Sequence, residues 1–157
     1  MKLYDDRMRA VAYRMLGSQS AMDDALQAAY LKAFRNIGGF RREAAFSSWL
    51  QRIVVNACYD SLRRSSRRSE ISLDQVPDRA TVGSVEDRVV QNQQLHSALQ
   101  NISDDLRAVV VLVDGEGLSY AEAAEALGIE RGTIASRLHR ARAALRHQLG
   151  LSQETIR

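Results

Sequence analysis

Between residues 131 and 147 the chain carries Arg131, Arg137, Arg140, Arg142 and Arg146 and no carboxylate. One-sided charge of this kind suits a polyanion, because every phosphate neutralised by an arginine releases condensed counterions. On a helix turning roughly 100° per residue, Ile134, Leu138, Ala141 and Leu145 fall on one narrow face. Gly132, Ser136, His139, Arg140 and Ala143 collect opposite, with Thr133 and Arg137 toward the flanks. Small and hydrogen-bonding side chains beside an arginine allow the close approach that reading base edges requires. An isolated basic helix is more often just solvated. Here a short acidic helix over 120–127, with Glu122 and Glu125, ends at Gly128-Ile129, and the basic helix resumes within a few residues. That is the helix-turn-helix layout, whose second helix enters the major groove.

A second constellation lies at residues 40–52, FRREAAFSSWLQR, where arginines interleave with rings. Six of the nine aromatic residues fall between Tyr30 and Tyr59, so the enrichment is local. Rings that take bases and cations that track the backbone are the chemistry of single-stranded nucleic acid. Arg52, Asn56, Arg63 and Arg64, then Arg67 and Arg68, continue the polar side of the next helix. Phe46 and Trp49 are expected to serve largely as core. A third group, Asp24, Gln27, Ala28, Leu31 and Arg35, faces outward from an amphipathic helix. A lone exposed leucine needs no explanation, but one framed by acid, amide and base also fits a protein partner.

Catalytic constellations are not found. His96, His139 and His147 form no Cys/His/acid cluster with metal-ligand spacing, and there is no phosphate-cradling glycine loop. Asp23 and Asp24 point about 100° apart on a helix and cannot act as a carboxylate pair. We therefore expect no enzyme, no catalytic residue, no metal and no cofactor. Cys58 is the single cysteine, which excludes an internal disulfide and suits a reducing cytoplasm. No stretch is apolar enough to span a bilayer, so no membrane insertion is expected. The net charge is only +3 although the pI is about 9.3, so local patches matter more than the sum.

These groups must be positioned by helices. One proline and nine glycines in 157 residues, with 45% hydrophobic residues, indicate an all-α chain that folds. A first helix is expected over 3–16, with Tyr4, Met8, Val11 and Met15 inward and Gly17 as its left-handed cap. Ser20, with Asp23 three residues on, is the expected N-cap of the second. Leu26, Ala29, Tyr30, Ala33, Phe34 and Ile37 make its buried stripe, and Gly38-Gly39 ends it. The third starts near Phe46, with Phe46, Trp49, Leu50, Ile53, Val54, Ala57, Cys58 and Leu62 on one side. Serines, arginines and the only proline over 65–83 read as linker, with short contacts around Ile71 and Leu73. Ser84 with Asp87 opens a fourth helix whose apolar positions are Val85, Val89, Leu95, Leu99 and Ile102. Ser103 opens a fifth, with Leu106, Val109, Val110 and Val113 inside and Gly115 closing it. The reading is two small helical domains joined by a flexible linker, the second with a helix-turn-helix: residues 1–68, a linker over 69–83, and residues 84–157.

The run AMDDALQAAYLKAFRNIGGFRREAAFSSWLQRIVVNACYDSLRR resembles region 2 of the extracytoplasmic-function (ECF) sigma factors, the compact group of the sigma-70 family. DLRAVVVLVDGEGLSYAEAAEALGIERGTIASRLHRARAAL resembles their region 4. The resemblance covers nearly the whole chain, in the family's order. It implies an RNA polymerase sigma factor whose region 2 docks on the clamp of core RNA polymerase and captures the −10 element of promoter DNA as single strand. Region 4 would read the −35 element as duplex and touch the flap, and an anti-sigma factor would occlude both. Carried over by position, Asp24, Gln27 and Leu31 would bind polymerase. Phe40, Arg41, Arg42, Phe46, Arg52 and Asn56 would hold −10 DNA, and Arg131, Thr133, Ser136, Arg137, His139 and Arg140 would meet −35 DNA. Ala28, Phe34 and Ala135 depart from the family pattern of an acid, a tryptophan and a basic residue. A helix-turn-helix regulator with a sensory N-terminal half is the competing reading; it leaves the arginine–aromatic loop and Asn56 unexplained.

Overall fold

The structure, a computed structural model, describes residues 2–41, 45–69 and 86–151, with side chains at 4–41, 45–68 and 91–151. Every regular element among the described residues is helical. The chain divides into two compact units, residues 1–79 and 80–157. The expected linker lies outside the described residues except for Ser69, which ends a helix. So do its contacts at Ile71 and Leu73, the helix start at Ser84-Val85, and the side chain of Val89.

The first unit packs three helices pairwise: α1 (Lys2–Leu16), α2 (Gln19–Asn36) and α3 (Phe46–Ser69). Met8, Val11, Ala12 and Met15 of α1 and Leu50, Ile53, Val54, Val55, Cys58 and Leu62 of α3 are buried in its core. Fully burying an aliphatic side chain of this size is worth about 1.5–3 kcal/mol. Gly17, at φ 76°, donates its N–H to Tyr13 O at 2.8 Å and turns the chain. The helix resumes at once, so Ser18 and not Ser20 is the N-cap, its Oγ accepting from Ala21 N at 3.2 Å.

The buried face of α2 also differs from the expected stripe. It consists of Met22, Ala25, Leu26, Ala29 and Ala33, while Phe34 and Ile37 are 77% and 54% exposed. Alanines four residues apart let α2 approach α1 and α3 closely, and this rotates the larger residues outward. Tyr4 of α1 is likewise exposed. A short 3-10 turn, Ile37–Gly39, ends α2.

The second unit contains α4 (Glu86–Gln100), α5 (Asp104–Val110), α6 (Tyr120–Leu127) and α7 (Arg131–Gln148). Helix α7 packs on α4, α5 and α6; Ile134, Leu138 and Ala141 are buried, as are Leu99, Val109, Leu112, Ala123 and Leu127 of the same unit. Leu95 is exposed, and Leu106 and Val113 are only half-buried, contrary to expectation. The deeper positions go to Ala108, Val111 and Leu112; a π-helical turn, Val111–Gly115, shifts the register after Val110, so that Leu112 and not Val113 lies fully inside. Its wider turn bonds Glu116 N to Val111 O at 2.9 Å. The left-handed residue that ends the segment is consequently Gly117, φ 73°, and not Gly115.

Ser103 flanks α5 but makes no side-chain cap. Arg107 organises this junction instead. Only 5% exposed, it donates from Nε to Leu99 O at 2.8 Å, from NH2 to Ile102 O at 3.2 Å, and to Asp104 at 3.0 Å. Burial pulls its pKa down and Asp104 opposes that pull. A buried guanidinium is tolerable only with such partners.

Candidate nucleic-acid interface

Helix α7 is positioned by the turn before it. Ser119 Oγ accepts from Glu122 N at 3.1 Å while the Glu122 carboxylate accepts from Ser119 N at 2.7 Å, a reciprocal box that fixes the start of α6. The Ser119 bonds hold the Glu122 carboxyl below its usual range. Gly128, at φ 67°, caps α6 in the left-handed conformation, and α7 begins three residues later. The outward face of α7 then carries Arg131, Gly132, Ser136, His139 and Arg140, all exposed, with Thr133 half-buried at its edge. A Cβ added at Gly132 would meet nothing within 4 Å, so nothing in this fold requires a glycine there. Ser136 Oγ donates to Thr133 O at 3.1 Å, which parks its hydroxyl on its own helix.

Two of the five arginines read as phosphate-facing are turned to carboxylates. Arg142 makes a two-pronged pair with Asp114, Nε at 2.9 Å and NH2 at 2.7 Å, clasping α7 to the π-helical turn. Arg137, beside the buried stripe and 20% exposed, points its NH1 at Asp105 at 3.6 Å. Arg131 and Arg140 remain on the open face, and Arg146 is half-buried. The sequence count of cations missed these pairs because both acids lie on earlier elements.

In the first unit, four rings converge where α1, Phe40 and the start of α3 meet. Phe40 lies 5.2 Å from Trp49 and 5.7 Å from Phe46; Phe46 is 5.6 Å from Trp49 and 6.1 Å from Tyr4. Phe46 and Tyr4 are exposed, Phe40 and Trp49 half-buried. The expectation that Phe46 and Trp49 are largely core is thus only partly met, because the cluster caps the end of the helical core instead of filling it. Trp49, Arg52 and Asn56 follow at helical spacing along one side of α3, with Arg52 exposed and Asn56 half-buried. Arg41 is exposed at the end of the turn, and Arg42 lies outside the described residues. Farther along α3, Arg63 stacks on the Tyr59 ring at 4.4 Å, a pairing absent from the sequence reading.

On α2, Asp24, Gln27, Ala28, Leu31 and Arg35 are all exposed as expected, and Leu31 is 52% exposed. Phe34 adds a large apolar surface one turn on; the family's aromatic at that position was the available signal. Beside this face runs an open groove lined by Arg9, Asp23, Leu26, Gln27, Tyr30 and Leu31. Its floor is tied by Asp5, which accepts from Tyr30 Oη at 2.7 Å and Arg9 Nε at 2.9 Å, while Arg9 reaches Asp23 at 3.2 Å. Tyr30 and Arg9 hold the Asp5 carboxyl down; desolvation, then Asp5, pushes Tyr30 up to about 12. Burial raises Cys58 to about 12 as well, leaving a thiol rather than a nucleophilic thiolate. No group of three His, Cys, Asp or Glu among the described residues could hold a metal ion. No helix among them is long and apolar enough to cross a membrane.

Residues 1–68 match the family model of sigma-70 region 2, and residues 92–145 match that of sigma-70, region 4. The ECF RNA polymerase sigma factor SigW of Bacillus subtilis is 33% identical over 164 residues, covering 94% of this chain and 85% of that protein. The chain belongs to the ECF sigma factors. SigM of Mycobacterium tuberculosis is 46% identical over 129 residues, covering 82% of this chain and 64% of its own length. SigE of Mycolicibacterium smegmatis is 33% identical, with coverages of 95% and 60%. The chain therefore spans less than two thirds of these two relatives. Among solved structures, the sigma factor RpoE in complex with the anti-sigma factor NepR from Bartonella quintana matches with a TM-score of 0.80. Its identity is 26%, with 96% of this chain and 94% of that one covered. CnrH, in complex with the cytosolic domain of CnrY, matches with a TM-score of 0.64 at 25% identity, covering 94% of this chain and 84% of its own.

Proposed function

We propose that this ECF sigma factor directs RNA polymerase to a specific promoter class, without chemistry of its own. The observation that carries the proposal is the pairing, in one chain, of a ring-and-arginine site on α3 with a helix-turn-helix on α6–α7. The first has the chemistry for unstacked bases, the second the geometry for a duplex groove, and a promoter being opened presents both.

In this reading residues 1–68 bind the polymerase clamp through Asp24, Gln27 and Leu31. They take the −10 element as single strand on Phe40, Arg41, Arg42, Phe46, Arg52 and Asn56. Residues 69–83 are linker. Residues 84–157 touch the flap and read the −35 duplex through Arg131, Thr133, Ser136, Arg137, His139 and Arg140. An anti-sigma factor that covers both units would regulate it, as the NepR complex of the similar RpoE suggests, and its place of work would be the cytoplasm.

The test is promoter opening. Unstacking costs a few kcal/mol per base, more than one small loop offsets, so the chain alone should leave duplex closed. Added to core polymerase, it should make thymines at the −10 element of a promoter chosen by run-off selection reactive to permanganate. An Arg41→Ala, Phe40→Ala, Asn56→Ala variant should keep polymerase binding and lose that reactivity. Normal opening by the triple variant would overturn the assignment of this site.

A further inference from the structure

Among the described residues, the contact of Arg137 with Asp105 leaves a buried guanidinium nitrogen without a hydrogen bond. Arg137 stands three residues after Ile134 and four before Ala141, both buried, and so borders the buried stripe of α7. Its neighbour one turn on, Arg140, is exposed on the outward face. The NH1 atom of Arg137 is buried and makes no hydrogen bond. Its distance of 3.6 Å from Asp105 Oδ1 exceeds the 2.7–3.2 Å of an ordinary N–H···O bond. Of the two acids that open α5, Asp104 is bound to the Arg107 cap at 3.0 Å. Asp105 is 52% exposed and faces α7. By comparison, the Arg142–Asp114 pair is two-pronged and short, as a permanent clasp should be.

We infer that Asp105 is an intramolecular stand-in for a DNA phosphate, holding Arg137 against α5 until a duplex backbone displaces it. An arginine meets phosphate through two short parallel bonds, better than the long single approach it has here. The side chain need only swing from the edge of the stripe toward the face that Arg140 already occupies. Asp105 thereby sets how strongly the unit grips DNA of any sequence, and lowers the sequence-independent part of its affinity. This rests on the duplex-reading role of α7.

The experiment is a salt titration of the full chain on a labelled random-sequence duplex, followed by fluorescence anisotropy. Asp105→Asn should tighten binding roughly two- to fivefold, the scale of one released ion pair. Because Arg137 meets the same phosphate in both proteins, the slope of log affinity on log salt should stay as in wild type, and Arg137→Ala should lower it by about 0.9, the share of one phosphate. Asp105→Glu, which keeps a carboxylate in reach, should behave as wild type. In an Arg137→Ala background, Asp105→Asn should change nothing. An equal gain in that background means that Asp105 acts as diffuse repulsion and overturns the inference. So does an unchanged Asp105→Asn affinity, or one explained by lost helical circular dichroism. Failure of the wild type to bind any duplex would instead overturn the role of α7 itself.

Discussion

Helices α2 and α7 distribute residue size in opposite senses. Helix α2 buries Ala25, Ala29 and Ala33 beside Met22 and Leu26 and carries Leu31 and Phe34 outside; α7 buries Ile134 and Leu138 and carries Gly132, Ala135, Ser136 and Ala143 outside. A small inner face lets a helix sink into its own bundle while large apolar side chains face a partner, and exposed apolar groups of that size fit a protein surface. A small outer face lets a rigid backbone approach, as a groove demands. This difference fits the partners proposed above, protein for α2 and nucleic acid for α7. The comparison teaches more than hydrophobicity does, because both helices are amphipathic.

The largest effect expected is at the outer face of α2. Asp24→Arg with Leu31→Ala should abolish pull-down of core polymerase while circular dichroism stays unchanged; retained pull-down would remove this face from the docking surface. Next comes α7, where Arg140→Ala should weaken binding to a matched −35 duplex by about 1–3 kcal/mol. Loss on matched and scrambled duplex alike would mark a phosphate contact, and selective loss a base contact. An Ala143→Leu change on the same helix should leave thermal stability within about 0.5 kcal/mol, as at an ordinary surface site, yet weaken duplex binding. Its mirror image, Ala29→Leu, should destabilise the first unit by about 1–3 kcal/mol through overpacking, read as a lower urea midpoint. Equal stability effects from the two leucines would erase the contrast between the helices.

The smallest effect is electrostatic. Tyr30 is held neutral in the fold with a pKa of about 12, against about 10 when unfolded. Its raised folded value makes this contribution complete below pH 10 and lost as pH climbs through 12. Asp5 has the opposite sign: its lowered folded value gives stability above the unfolded pKa of about 4, lost as pH falls through the folded one. Tyr30→Phe should therefore flatten the urea midpoint at both ends of the pH range. A midpoint profile identical to wild type would show that the Asp5–Tyr30 bond between α1 and α2 contributes nothing.

Much of the architecture was legible because strong punctuation sits at the helix boundaries: Gly17, Gly38-Gly39, Gly128 and Ser103 before α5. The helix-turn-helix was legible for the same reason, and the inward face of α7 fell where its period placed it at Ile134, Leu138 and Ala141, with Leu145 only half-buried. The face of α2 was legible only at Leu26, Ala29 and Ala33, because three of its five buried residues are alanines and a reading weighted by side-chain size reaches past them to Phe34 and Ile37. Ser18 was missed as the cap because Gly17 reverses the chain within one residue. Nothing local announced Arg107, whose partners lie eight, five and three residues before it, nor the π-helical turn after Val110. The pairs of Arg137 with Asp105 and Arg142 with Asp114 span 32 and 28 positions, so charge counted along α7 alone overstated what is open to DNA.

The buried Arg107 has a kinetic consequence. One guanidinium holds the carbonyls of Leu99 and Ile102 and the carboxylate of Asp104, so the last turn of α4 cannot fray without uncovering a charge. Local opening and opening of the whole unit then become the same event. In a hydrogen–deuterium exchange experiment, the amides of α4 near Leu99 should exchange as slowly as those of α5 near Val109. With Arg107 replaced by methionine, that end of α4 should exchange first and alone.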